Sequence, residues 1–129
     1  MIMTTFEIRV WMEHHLKMTS KILIAADQKS RRVSHQESLE KIRFNSEFIL
    51  VKSFEQVLET IRKEKENISL IVLDSEVYDA PNRRTRQEAI RELKDKSKNI
   101  PVVMIGTEMK QAISSLKDGA DGFIPIHWL

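Results

Sequence analysis

Short runs of hydrophobic residues alternate with longer polar segments along most of the chain. The runs lie at residues 21–26, 47–52, 68–74, 100–106 and 122–127. Most are apolar at successive positions, a pattern that is typical of strands buried on both faces of a parallel sheet. The pattern therefore predicts five strands, each of the length that is usual in globular proteins.

The segments between these runs have the spacing of amphipathic helices, with apolar residues at every third or fourth position. Ser53, followed by Gln56 three residues later, predicts a capping box at the start of one helix. The predicted inward stripes are Phe54, Val57, Leu58 and Ile61 in that helix, Ala89, Ile90 and Leu93 in a charged helix at about 85–97, and Met109, Ala112, Ile113 and Leu116 in the last. A polar segment from Gln28 to Arg43 is also compatible with a helix.

This alternation of strands and helices predicts one α/β domain, because parallel strands need crossover helices and these are almost always right-handed. We expect a doubly wound, five-stranded parallel sheet within residues 21–129, preceded by an N-terminal extension at 1–20. The extension permits two interpretations, because its apolar residues fit one helical stripe and also alternate as in a strand.

Composition restricts the classes of function. The 129 residues are 41% hydrophobic and 31% charged, the net charge is +2, and there is no cysteine. The near balance of charge gives no electrostatic reason to expect nucleic-acid binding. No apolar run approaches the roughly 20 residues of a membrane span, and the N-terminus lacks a secretory-signal pattern. We therefore expect a cytoplasmic protein without nucleic-acid or membrane partners, a location that also fits the absence of disulfides.

Two carboxylates occupy matching positions, since Asp27 follows the first predicted strand and Asp74 ends the third. In doubly wound sheets, ligands bind at the carboxyl ends of the strands, so we expect these side chains to share one crevice. Paired carboxylates suit a hard divalent cation such as Mg²⁺. The alternative is that each acid caps a helix or is solvated. No glycine-rich loop follows the first strand, which disfavours a nucleotide-binding enzyme.

Four stretches in register resemble the receiver domains of bacterial two-component response regulators. They are "KILIAADQ", "LIVLD", "IPVVMIGT" and "LKDGADGFIP", and the resemblance extends in order from Lys21 to His127. It implies a flavodoxin-like receiver fold with strand order 2-1-3-4-5. It also implies a phospho-accepting Asp74, a Mg²⁺ held by Asp27 and Asp74, and a signalling partner that is a histidine kinase or a downstream effector.

The sequence departs from the receiver pattern at several functional positions. The resemblance places the first acid of the metal pair on Ala26, the switch hydroxyl on Gly106 with Thr107 one residue late, and the phosphate-binding lysine on Ile126. Phe123 matches the switch aromatic. We therefore expect a degenerate receiver that is a protein-interaction module rather than an enzyme, with impaired phosphotransfer and weak or absent Mg²⁺ binding. The alternative is a working receiver phosphorylated on Asp74.

Two further expectations concern charge and assembly. Arg83, Arg84 and Arg86 follow Asp74, and one of them could pair with it. The receiver family has a final helix after strand five that we expect to be missing here. Because that would leave apolar sheet uncovered, we expect the extension to cover it, or a homo-oligomer to form through residues 4–17 and Trp128.

Overall fold

The five apolar runs form one parallel sheet in a computed structural model, in which residues 7, 10, 21–42, 47–75, 77 and 85–125 are described. The strands are β1 (Lys21–Ala25), β2 (Glu47–Val51), β3 (Ile68–Asp74), β4 (Val102–Gly106) and β5 (Gly122–Pro125). Their order is β2-β1-β3-β4-β5, and every neighbouring pair is parallel. The predicted flavodoxin-like receiver fold is confirmed.

Between residues 21 and 125, four helices are described, and they cover the two faces of this sheet. They are α1 (Lys29–Ile42), α2 (Phe54–Glu64), α3 (Arg86–Ser97) and α4 (Met109–Lys117), and a 3₁₀ turn, Lys65–Asn67, follows α2. Buried side chains of α2, α3 and α4 join one hydrophobic cluster, whereas Leu39 of α1 joins a second cluster on the opposite face. The sheet is thus buried on both sides, which explains why its strands are continuously apolar.

The start of α2 agrees with the capping signal in the sequence. Ser53 is the N-cap residue, and its Oγ accepts a hydrogen bond from the Gln56 backbone N–H at 3.2 Å. The Gln56 side chain accepts from the backbone N–H of Lys52 at 2.8 Å, one residue earlier than the usual partner in a capping box. The predicted helix start is therefore confirmed, with a shifted reciprocal bond.

The predicted inward stripes are mostly confirmed. Those of α2 and α3 are buried, except that Leu58 is half-buried. In α4 the prediction is wrong for Ile113, which is 57% exposed. Ala112 is fully buried as predicted, Leu116 is half-buried, the side chain of Met109 lies outside the described part of the structure, and Ser115, which was not predicted, is fully buried as well. With the small residues Ala112 and Ser115 on the side of α4 that faces the sheet, Ile113 lies on the solvent side of the helix.

Several sequence predictions fall outside the described residues. They concern Ile126, Trp128, the end of the chain after β5, and residues 4–17 apart from Glu7 and Val10. These two residues are helical, Glu7 is exposed and Val10 is half-buried. Within the part of the chain that the structure describes, no helix is long and apolar enough to cross a membrane.

Candidate functional site

Asp74 is the last residue of β3, which lies between β1 and β4 at the centre of the sheet. It is only 1% exposed. A carboxylate in such a place is costly to desolvate unless charged or polar groups compensate it. The partners of Asp74 therefore determine what the site can do.

Two side chains of α1 bind the two oxygens of this carboxylate. Nε2 of His35 lies 2.8 Å from Oδ2, and because a carboxylate only accepts, the imidazole N–H donates. The guanidinium Nη2 of Arg31 lies 3.1 Å from Oδ1. His35 is almost as buried as Asp74, whereas about a third of the Arg31 side chain is exposed. Both oxygens of Asp74 thus have a nitrogen partner within the domain.

Arg31 also approaches the second carboxylate. Its Nη1 lies 3.9 Å from Oδ1 of Asp27, whose side chain is 54% exposed. One guanidinium therefore lies between the two acids that the sequence placed at the same edge of the sheet. We call Asp27, Arg31, His35 and Asp74 the Asp74 cluster.

The next residue fixes the start of α1 against the end of β1. Nη1 of Arg32 donates to the backbone carbonyl of Ala26 at 2.7 Å and approaches that of Asp27 at 3.3 Å. The backbone N–H groups of Arg31 and Arg32 both donate to the carbonyl of Gln28 at 3.1 Å. These bonds hold the first turn of α1 at the carboxyl end of β1, where Arg31 contacts both acids.

The donor set does not fit a divalent cation. Mg²⁺ would need open carboxylate oxygens and water ligands, but the oxygens of Asp74 are bound by Arg31 and His35, and Ala26 offers no third acid. Ala26 is also fully buried. Across the described ranges, no group of three or more histidine, cysteine, aspartate or glutamate residues could hold a metal ion.

On the other side of the crevice, the Gln111 side chain fills the space beside Gly106. Its Oε1 accepts from the backbone N–H groups of Thr107 at 3.1 Å and Glu108 at 3.0 Å. A Cβ added at Gly106 would lie 2.5 Å from that Oε1 and 3.1 Å from Cζ of the fully buried Phe123. A glutamine of α4 therefore occupies the place where a switch hydroxyl at residue 106 would lie.

Two buried polar atoms near Asp74 have no hydrogen-bond partner among the described residues. They are Nδ1 of His35 and Oγ of Ser75. Ser75 is 5% exposed, and its backbone N–H donates to the carbonyl of Ile105 at 2.9 Å. Each oxygen of the Asp74 carboxylate thus has a nitrogen partner, whereas these two neighbouring atoms have none among the described residues.

Among the three arginines that follow Asp74, Arg86 pairs with Asp118 at 3.1 Å. Arg83 and Arg84 lie outside the described residues, so a contact between either of them and Asp74 stays a prediction. Arg31 of α1 supplies a guanidinium that lies 3.1 Å from Asp74 and 3.9 Å from Asp27.

Sequence reasoning missed His35, Arg31 and Gln111. A signal for the first two exists, because Arg31, His35 and Leu39 are four residues apart and lie on one face of α1. Leu39 is fully buried, so residues one and two turns before it also face the sheet. For Gln111, the capping-box position three residues after Glu108 was the available signal.

No protein-family model matches the chain, and a search of curated proteins also finds no match. Solved structures of receiver domains do resemble it. A response regulator receiver domain from Clostridium thermocellum is 18% identical with a TM-score of 0.65, over 82% of this chain and 81% of that one. The chemotaxis response regulator CheY4 of Vibrio cholerae is 18% identical with a TM-score of 0.64, over 85% and 92%.

A third similar structure contains ligands. It is the receiver domain of the histidine kinase CKI1 from Arabidopsis thaliana, complexed with Mg²⁺ and BeF₃⁻. It is 17% identical with a TM-score of 0.61, over 84% of this chain and 81% of that one. At these identities the similarity establishes the fold alone. The chain therefore has the fold of the receiver domains of response regulators.

Proposed function

We propose that this chain is a signalling module that binds another protein and does not use phosphorylation of Asp74 as its switch. The observation that supports this most directly is the state of Asp74, which is 1% exposed and bound at both oxygens by His35 and Arg31. To accept a phosphoryl group, one oxygen must be free to attack in line with the leaving group. In this protein, His35 or Arg31 would first have to release the buried carboxylate of Asp74.

The opposite side of the crevice supports the same proposal. Phosphoryl transfer depends on donors and charges that are preorganised around the phosphoryl oxygens, and loss of one such donor costs on the order of 3 kcal/mol at the transition state. Residue 106 has no hydroxyl, and Oε1 of Gln111 accepts hydrogen bonds beside it. A carbonyl oxygen there would repel a phosphoryl group rather than stabilise it.

The partner in this proposal is a histidine kinase or a downstream effector, by analogy with the proteins whose fold the chain shares. The proposed contact surface is formed by α4 and β5, where the exposed Ile113 of α4 offers an apolar contact. The proposal includes no enzymatic activity and a cytoplasmic location, for which the cysteine-free sequence is suitable.

Intact-mass measurement after incubation with acetyl phosphate and Mg²⁺ tests the proposal. We expect the unmodified mass for the natural chain. The matched control is Asp74→Asn, which removes the nucleophilic oxygen with little change of shape. A phosphoryl adduct on the natural chain that is lost in the control would favour the alternative, a working receiver that uses Asp74.

Self-association through residues 4–17 and Trp128 is a separate part of the proposal. Glu7 and Val10 are helical, with Val10 half-buried and Glu7 exposed, which agrees at these two positions with the alternative in which the extension covers the sheet of its own chain. Removal of residues 1–17 should change the mass in solution measured by light scattering, or lower solubility and stability. A truncated chain with unchanged mass, solubility and stability would contradict this part alone.

A further inference from the structure

We infer that the guanidinium of Arg31 is a built-in replacement for a divalent cation between Asp27 and Asp74. The inference rests on the site described under the proposed function and specifies its cofactor requirement. It states that the Asp74 cluster is complete without metal, and that Arg31 is the residue that excludes it.

The position of the guanidinium is the first argument. Its two terminal nitrogens point to different carboxylates, with Nη2 at 3.1 Å from Asp74 and Nη1 at 3.9 Å from Asp27. A cation that bridged these acids would have to lie in the same space. Guanidinium and metal therefore compete for one position, and they also repel each other because both are positive.

The charge balance of the cluster is the second argument. Arg31 supplies one positive charge against the buried carboxylate of Asp74, and the N–H of His35 supplies a further donor to it. Asp27 is 54% exposed, so water screens its charge. The buried acid is therefore compensated inside the protein.

The first turn of α1, which carries Arg31, is held in place. Arg32, the next residue, binds the carbonyl of Ala26 at 2.7 Å, which fixes the first turn of α1 to the end of β1. His35, one turn later, binds Asp74 at 2.8 Å. Arg31 lies between these two contacts, so its removal from the carboxylates requires a rotamer change against a fixed helix.

Paramagnetic broadening of backbone amide NMR signals by Mn²⁺ tests the inference on the full chain. In the natural protein, we expect no selective broadening of the Asp27, Asp74 and Ser75 amides. In Arg31→Gln the two acids lose their shared cation, and selective broadening at these amides should appear, with binding at least about tenfold tighter than in the natural chain.

Two controls separate loss of the positive charge from substitution in general. Arg31→Lys keeps one positive charge beside Asp74 and should resemble the natural chain. Arg62→Gln removes an arginine from an exposed ion pair on α2 and should also leave the Mn²⁺ response unchanged. Any of three results would overturn the inference. They are selective broadening in the natural chain, no selective broadening in a folded Arg31→Gln, and equal broadening in Arg31→Lys and Arg31→Gln.

A second variant keeps the test valid if Arg31→Gln does not fold. Asp27 is more than half exposed, so Asp27→Asn should fold normally. If Arg31 excludes metal, neither this variant nor the natural chain shows selective broadening by Mn²⁺, and broadening in the natural chain that Asp27→Asn removes would overturn the inference. The mass measurement with acetyl phosphate is independent, since metal entry without a phosphoryl adduct would refute this inference and leave the proposed function intact.

Discussion

Two carboxylates in this protein have similar partners but different surroundings. Glu59 on α2 contacts Arg62 at 2.6 Å and Lys63 at 3.3 Å, with all three side chains largely exposed. Asp74 contacts His35 at 2.8 Å and Arg31 at 3.1 Å, with its own side chain only 1% exposed. Distances alone would suggest that the two sites are equally important for the stability of the protein.

Burial makes the two sites different in kind. Exposed ion pairs typically contribute little to stability, because water and salt screen them and because long side chains lose entropy. A buried carboxylate cannot be rehydrated when it loses a partner, so breaking its contacts is expensive even where the intact set contributes little net stability. The stability of the protein should therefore be sensitive to the loss of the buried His35 beside Asp74, and insensitive to the loss of the Glu59 pair.

His35→Ala should have the largest effect on stability. It removes a buried donor from Asp74 and leaves a cavity beside α1, so we expect a loss of about 3–5 kcal/mol in the free energy of unfolding. Chemical denaturation measures it. His35→Gln, which keeps an N–H donor, is the control and should lose less. A loss from His35→Ala as small as that of a surface substitution would mean that Asp74 is solvated.

Gly106→Ala tests whether close packing extends to the other side of the crevice. The new Cβ would lie 2.5 Å from Oε1 of Gln111, so we expect a loss of about 1–3 kcal/mol from overpacking. The same substitution in a Gln111→Ala background should cost less, because the clashing atom is gone. Purely additive losses in the double variant would show that Gln111 does not fill this space.

Asp74→Asn removes the negative charge of the site at nearly constant shape, and so separates the effect of charge from that of packing. The amide oxygen can still accept from His35, while Arg31 keeps access to water through its exposed third. We expect a loss of about 1 kcal/mol, the difference between a charged and a neutral hydrogen bond. Urea denaturation measures it beside His35→Ala. A loss larger than that of His35→Ala would indicate that the negative charge, rather than the donor, determines the stability of the site.

The sequence predicted the sheet well because its signal is local. Continuous apolar runs specify strands that are buried on both faces, and the shared carboxyl edge of parallel strands predicts that Asp27 and Asp74 converge. Each inference needs only neighbouring residues and the topology. The same locality explains the confirmed N-cap at Ser53.

The partners of Asp74 could not be predicted in the same way. His35 and Asp74 are 39 residues apart, and their contact depends on the rotation of α1 about its own axis. The sequence gives little information about that rotation, because Leu39 is the single buried apolar residue of α1 among those whose burial is described. The error at Ile113 has the same origin, since Ser115, together with the predicted Ala112, is buried while Ile113 is exposed.

Glu59→Gln should have the smallest effect on stability, because Glu59 is the exposed carboxylate of the two. The hydrogen bond from Arg62, followed by that from Lys63, lowers the pKa of Glu59 below its ordinary value of 4.5. A lowered pKa in the folded state means that the carboxylate contributes stability at neutral pH and loses it as the pH falls through the folded-state value. Because the group is exposed, we expect the denaturation midpoints of the natural chain and Glu59→Gln to be nearly equal at neutral pH, and to become equal in acid or high salt. Arg62→Gln, which removes the other member of the pair, is the matched control and should behave alike. If Glu59→Gln lowered the midpoint as much as His35→Ala does, burial would not be what distinguishes the two carboxylates.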